Sequence, residues 1–407
     1  MSRLSFHILF IAIILASCQS NRTEQINPNL SLTPGSWRLN MISNESFIPL
    51  RFELDSALAL TIVNSDERII VQDIQINNDS IRIRLPRFDS EFIGKIHSTT
   101  QITGNWHNYL RTDYSIPFEA FYVGRTAPSD RPATSTTKYE VWFSPGSEDE
   151  YKALGLFHIF GEELHGTFLT ETGDYRYLQG TNSTASFNLS CFDGSHLFAF
   201  NGEYKGDSII NGTFRSGKHW TEPWIGVKNE SYELAHPDSL TYLLPGFETI
   251  TADLIDLQGE ITTLDQSDYL GHVTILQIFG SWCPNCYDEN VFYNELYKDY
   301  NKRGLNIIPI AFERTDDFNQ NVEAVQKQFK EIGITYPAFI GGKANKTIAS
   351  KKFPMLNKII SFPTSIYLDK HGIVRKIHTG FYGPGTGIYY DNYTRETRAF
   401  LEELLSE

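Results

Sequence analysis

Along most of the first 240 residues, apolar and polar positions alternate with a period of two. The run Ile81-Arg82-Ile83-Arg84-Leu85 shows it plainly, with one apolar face and one charged face. The pattern predicts strands at 57–63, 68–76, 80–85, 137–143, 153–160 and 186–191, and no long stretch carries helical spacing. A glycine-aromatic step recurs in Ile102-Thr103-Gly104-Asn105-Trp106, Leu164-His165-Gly166-Thr167-Phe168 and Ile210-Asn211-Gly212-Thr213-Phe214. It reads as a recurring hairpin in which glycine permits a turn or bulge and the aromatic returns to the core. The copies are unevenly spaced, so this is not a solenoid. The expectation for residues 37–240 is an all-β domain, a barrel or sandwich of antiparallel hairpins.

Near Pro245-Gly246 the pattern changes. Residues 247–264 offer two strands around Gln258-Gly259. Val273-Thr274-Ile275-Leu276-Gln277-Ile278-Phe279 is a mostly apolar run suited to a buried central strand. Helical spacing follows at 284–302, a strand at 305–311, a helix at 318–332, a strand at 337–340 and a basic helix at 343–357. Strands at 364–368 and 374–379 and a last helix at 393–405 complete the chain. This alternation predicts an α/β domain over residues 241–407.

Composition narrows the classes. The chain has 407 residues, 41% hydrophobic and 21% charged, enough for a sizeable core and for more than one domain. The net charge of −14 excludes a nucleic-acid binder that neutralises phosphates with a basic surface. The 4 cysteines, Cys18, Cys191, Cys283 and Cys286, are too few and too unevenly placed for a disulfide scaffold. Cys191, in Leu189-Ser190-Cys191-Phe192, reads as a small buried hydrophobe. The segment Gly217-Lys218-His219-Trp220-Thr221-Glu222-Pro223-Trp224 reads as an aromatic turn packing a domain edge, with a ligand site as the alternative.

Cys18 reads as an address. Arg3 precedes an apolar run, residues 4–15, that is too short to cross a ~30 Å hydrocarbon core and has the layout of a secretory signal. Leu15-Ala16-Ser17-Cys18 resembles the bacterial lipobox, in which cleavage precedes a lipid-modified cysteine. An ordinary signal peptide with a chance cysteine is the alternative. The resemblance implies a signal peptide at 1–17, lipidation at Cys18 and a polar tether over 18–36. It places the protein on the cell envelope of a gram-negative bacterium, facing the periplasm. Gln19 rather than Asp after the cysteine points to the outer membrane.

Cys283-Pro284-Asn285-Cys286 carries the chemistry. A zinc site would need two further ligands at paired spacing, and no second CxxC or HxxxH is present, so no metal is expected. The remaining reading is a dithiol–disulfide couple. At a strand-to-helix junction Cys283 lies at a helix N-terminus, which stabilises a thiolate, and Pro284 fits the first helical turn. Cys286, one turn deeper, is then the resolving thiol.

With these residues, 245–405 resembles the thioredoxin superfamily and, within it, the TlpA-like membrane-anchored thiol–disulfide oxidoreductases. Trp282-Cys283-Pro284-Asn285-Cys286 resembles the family's WCxxC, Glu289 a glutamate used near the dithiol, and Phe362-Pro363-Thr364 a loop whose proline is cis and faces the dithiol. The hairpin at 247–264 resembles the branch's extra strands. The resemblance implies Cys283, Cys286, Glu289 and Pro363 as catalytic residues, and Trp282, Pro284, Phe362, Thr364 and Gly380 as lining a substrate groove. It implies no cofactor beyond the redox-active dithiol. The partners implied are protein thiol or disulfide clients and a membrane electron donor, in settings such as cytochrome c biogenesis. Two positions depart from the pattern. Val291 stands where proline is frequent, and Gln277 stands where thioredoxins bury an acid, which shifts proton transfer toward Glu289.

The expected function is a membrane-anchored extracytoplasmic reductase of protein disulfides. The alternative is a ligand- or partner-binding lipoprotein whose thioredoxin-like part is a redox-inert scaffold. A peroxidase reading is poor, because peroxiredoxin-like sites need threonine where Gly280 stands.

Overall fold

The computed structural model describes residues 31–44, 46–124 and 133–407. The signal peptide, Cys18 and most of the tether expected at the N-terminus lie outside them.

The β-rich region is two consecutive sheets. The first comprises β1 (Gly35–Ser43), β2 (Ser46–Leu54), β3 (Leu60–Asn64), β4 (Glu67–Val71), β5 (Asp73–Asn77), β6 (Ser80–Arg84), β7 (Ser90–Ser98), β8 (Gln101–Asn108) and β9 (Ser115–Gly124). Its order, β4-β3-β2-β1-β9-β8-β7-β6-β5, is an antiparallel meander rolled until β1 meets β9, a barrel left open between β4 and β5. The single strand expected at 68–76 breaks at Gln72. The buried side switches from Ile69 and Val71 in β4 to Ile74 and Ile76 in β5, a parity no one strand can keep. Leu32 is buried in this barrel's core, so packing begins inside the stretch read as tether.

The second sheet comprises β10 (Ser135–Phe143), β11 (Tyr151–Phe160), β12 (Glu163–Thr170), β13 (Gly173–Asp174), β14 (Leu178–Asn182), β15 (Ser186–Phe192), β16 (Leu197–Lys205), β17 (Ser208–Ser216) and β18 (Trp220–Lys228). Pairing of β10 with β18 and of β11 with β12 closes it into a barrel. Its core is aromatic, with Phe143, Phe157, Phe168, Phe200, Phe214 and Trp224 in mutual contact. Cys191 lies in that core, where burial pushes its thiol well up. The repeated glycines lie within β8, β12 and β17 rather than in turns. A Cβ on Gly104 would lie 2.5 Å from the Gly94 Cα, and only Gly212 adjoins a bulge. The aromatics that follow, Trp106, Phe168 and Phe214, are all core. The β15–β16 turn inserts into the first barrel, with Phe192 5.1 Å from Trp106 and Asn64 Nδ2 donating to the Phe192 carbonyl at 2.9 Å. Of the turn expected at 217–224 only Gly217–His219 is a turn, the rest being β18; it also docks there, the Lys218 N–H donating to the Tyr114 hydroxyl at 2.9 Å.

The C-terminal sheet comprises β19 (Ala252–Asp256), β20 (Ile261–Leu264), β21 (Val273–Phe279), β22 (Leu305–Glu313), β23 (Phe339–Lys343), β24 (Thr364–Leu368) and β25 (Val374–Thr379), in the order β20-β19-β23-β22-β21-β24-β25. Every residue of β21 is buried, as expected of a central strand covered on both faces. Its helices are α1 (Gln266–Tyr269), α2 (Pro284–Tyr300), α3 (Phe318–Ile332), α4 (Lys346–Lys352) and α5 (Ile388–Ser406). α4 is shorter than the helix expected at 343–357. Pro354 disfavours the helical conformation for Phe353, where the helix stops. α5 starts earlier than expected, directly after Gly387.

Candidate redox site

β21 ends at Phe279 and the chain turns into α2, whose N-cap is Cys283. The turn is fixed from behind. Glu313, at the end of β22, accepts the Ser281 N–H and hydroxyl, each at 2.8 Å. Burial pushes the Glu313 carboxyl up to about 7, against those two hydrogen bonds. The Cys283 sulfur accepts the Cys286 N–H at 3.3 Å, as a capping side chain does, and its thiol donates to the Phe362 carbonyl at 3.4 Å. Pro284 occupies the first helical turn, where no N–H is missed. Both cysteines are free thiols, Cys283 6% exposed and Cys286 fully buried. Burial pushes the Cys286 thiol well up, reinforced by its hydrogen bond with Cys283 and by the Glu289 carboxylate.

Glu289 lies one turn further along α2, fully buried. It accepts from Gln277 Nε2 at 2.8 Å, from the Ser365 hydroxyl at 3.1 Å and from the Tyr393 hydroxyl at 3.4 Å. Tyr393 shares a hydroxyl cluster with Tyr293 and Tyr367. Burial outweighs these donors and pushes the Glu289 carboxyl up to about 7. Gln277, the departure noted in the sequence, orients Glu289 instead of exchanging a proton itself.

The Phe362–Pro363 peptide is cis, and the Pro363 carbonyl accepts the Gly380 N–H at 2.9 Å. The Trp282 ring lies 5.9 Å from Phe362, its Nε1 donates to the Phe312 carbonyl at 2.8 Å, and Arg314 stacks on it at 4.5 Å. Cys283, Cys286, Trp282, Pro284, Phe362, Pro363, Thr364 and Gly380 thus gather at the end of the C-terminal sheet where β21 and β25 finish and β24 begins, with Glu289 a turn deeper. Cys18 lies outside the described residues.

Sequence reasoning missed Arg176, a buried arginine just after β13. It donates to Asp288 Oδ2 on α2 and to Glu67 Oε1 on β4, each at 2.8 Å, and its Nε lies 3.5 Å from Asp193 Oδ2. Its partners are far apart in sequence, so no local pattern announces it. It also missed the tyrosines around Glu289, which helical spacing marks only as core.

Residues 245–377 match the model of the AhpC/TSA family. Among curated proteins, the chain is similar to thiol-disulfide oxidoreductase ResA of Geobacillus kaustophilus (strain HTA426), 32% identical over 127 residues, 31% of this chain and 64% of that protein. It is likewise similar to ResA of Geobacillus thermodenitrificans (strain NG80-2), 33% identical over 127 residues, with the same coverage. The chain spans less than two thirds of these relatives' length. A crystal structure of a thioredoxin-family thiol:disulfide interchange protein from Chlorobium tepidum TLS aligns with TM-score 0.29 at 20% identity, covering 39% of this chain and 95% of that one. The C-terminal region is a thioredoxin-like domain, and the relatives it matches are thiol–disulfide oxidoreductases.

Proposed function

We propose that this protein is an extracytoplasmic, lipid-anchored thiol–disulfide oxidoreductase that reduces disulfides in protein clients. The observation that carries the reading is the pairing of Cys283, a capping thiol at a helix N-terminus, with a buried Cys286 and a buried glutamate that titrates near 7. The Cys283 thiolate attacks one sulfur of a client disulfide. A mixed disulfide forms, and the other client sulfur leaves as a thiolate and takes up a proton. Cys286, its proton passed toward Glu289, attacks the Cys283 sulfur and releases the second client thiol. The client gains two electrons and two protons, and the protein is left with a Cys283–Cys286 disulfide. A membrane electron donor would re-reduce it. Glu289 suits the proton step because a carboxyl titrating near 7 both accepts and returns a proton at neutral pH.

The anchoring part rests on Leu15-Ala16-Ser17-Cys18 and the apolar run before it. The AhpC/TSA match raises a peroxidase reading, which needs threonine at position 280. A Cβ on Gly280 would clash with the Trp282 ring and lie 2.9 Å from the Phe312 carbonyl, so the site has no room for one.

A trap tests the proposal. Cys286→Ser should accumulate mixed disulfides between Cys283 and client proteins, separable by mass spectrometry and released by dithiothreitol. Wild type should reduce insulin and Cys283→Ser should not; equal rates would favour the redox-inert scaffold.

A further inference from the structure

Part of the wall around the dithiol comes from outside the thioredoxin-like domain. The turn between β12 and β13, Glu171-Thr172, projects from the second barrel onto the surface beside Cys283. The Ser361 hydroxyl, just before the cis peptide, donates to the Thr172 carbonyl at 2.7 Å. Gly380 packs against the same turn so closely that a Cβ there would lie 2.9 Å from the Thr172 carbonyl carbon. Asp174 Oδ2, one residue past Gly173, accepts the Gly383 N–H at 2.6 Å and faces Asn285 Nδ2 at 3.5 Å. The turn therefore touches the segment leading to Pro363, the loop after β25, and Asn285, one of the two residues between the cysteines.

Two further features fix this wall. Arg176 ties the second barrel to Asp288 on α2 and to Glu67 of the first barrel. Breaking a buried ion cluster is costly, so the wall does not drift freely. On another flank, Tyr287 is covered by the first barrel, with Phe88 at 6.5 Å and Arg87 stacked at 4.8 Å. The side left to an incoming sulfur is that of Trp282, Phe362 and Arg314, each only half-buried.

We propose that the Glu171–Asp174 turn of the second barrel is a built-in wall of the client groove, which admits extended, flexible disulfide-bearing segments to Cys283 and turns away folded ones. The proposal rests on the oxidoreductase reading for its client. It gives the second barrel, which lies outside the residues 245–377 matched by the family model, a role in selecting clients. An extended chain can approach along the side of Trp282, Phe362 and Arg314, whereas a folded domain meets the Glu171–Asp174 turn and the first barrel over Tyr287 first.

The test compares two maleimides of the same chemistry on the full-length Cys286→Ser protein, N-ethylmaleimide and a polymer-tagged maleimide. Each is followed at Cys283 by mass spectrometry. Wild-type walls should make the polymer reagent much the slower. Ser361→Ala with Asp174→Ala, which removes the side-chain bonds tying the turn to the thioredoxin-like domain, should raise the polymer-to-small rate ratio about tenfold, equivalent to about 1.4 kcal/mol. Thr172→Arg adds bulk at an exposed tip without disturbing the core and should lower the ratio. The proposal is overturned if the ratio is the same in all three proteins, or if both reagents speed up together in the double variant, which would mean general loosening. Labelling needs no turnover, so a protein that never reduces insulin but shows these ratios sinks the oxidoreductase reading alone.

Discussion

Behind Cys286, Glu289 is held by an amide and hydroxyls, all from the thioredoxin-like domain: Gln277, Ser365 and Tyr393. On the face of α2 that meets the barrels, the front, Arg176 is held by carboxylates drawn from three regions: Glu67, Asp193 and Asp288. Both clusters are buried, but they do opposite things. Neutral donors only partly offset the burial of a carboxyl, so Glu289 keeps its proton until about pH 7 and can trade it there. Among carboxylates Arg176 keeps its charge at any accessible pH, although burial pushes the Asp288 carboxyl itself up. The back of the site is built to move a proton and the front to hold a shape.

Removing the charge from the front is the harshest break in this contrast. Arg176→Met leaves Glu67, Asp193 and Asp288 without their shared counter-ion, with Arg87 still reaching Glu67 and His196 still reaching Asp193, each at 3.2 Å. The expected loss is about 3–5 kcal/mol, read by urea denaturation. A loss below about 1 kcal/mol would mean that the front is not a fixed clamp. Next in size is Glu289→Gln at the back. The rate at which Cys286 resolves a mixed disulfide should fall about 100-fold, and its inflection near pH 7 should vanish. Stability should move the other way. The folded carboxyl titrates near 7, against 4.5 for its unperturbed value, so the wild type loses stability as pH rises from about 4.5 through 7. Glu289→Gln lacks that loss, so its Tm relative to wild type should climb across the same window and level off above it. A Tm difference that stays flat with pH would place the titration on another group.

The back of the site was far more legible in the sequence than the front. Cys283 caps the helix that holds Cys286 and Glu289, and their spacing alone puts them on successive turns. Gln277 was visible as a departure, though its hydrogen bond to Glu289 depends on how β21 faces α2. The β-rich region shows the same limit. Alternation marked the strands, and the parity switch between Ile69-Ile70-Val71 and Ile74-Gln75-Ile76 was present in the letters, but which strand closes on which is a long-range fact. Pairing of β1 with β9 joins residues some eighty positions apart, and Arg176 to Asp288 spans 112. Such contacts leave no local period. Arg176 in particular follows Tyr175 in a turn-rich stretch and reads like any surface arginine.

The gentlest probe separates Glu289 from the tyrosines around it. Tyr393→Phe removes one donor to the carboxylate at 3.4 Å and leaves the ring to pack against Phe381 and His378. The lost bond favours the ionised form, so its removal should push the Glu289 inflection to higher pH, above about 7, by a fraction of a unit. The stability cost should be about 1 kcal/mol, since Tyr293 and Tyr367 keep each other as partners at 2.9 Å. The measurement is the pH dependence of Cys286 alkylation in a Cys283→Ser background, with and without Tyr393→Phe. An upward shift places the tyrosine hydroxyls among the groups that set where Glu289 trades its proton. An unchanged inflection with the same small loss in Tm would make the cluster packing alone, and leave Gln277 and Ser365 as the donors that tune the back of the site.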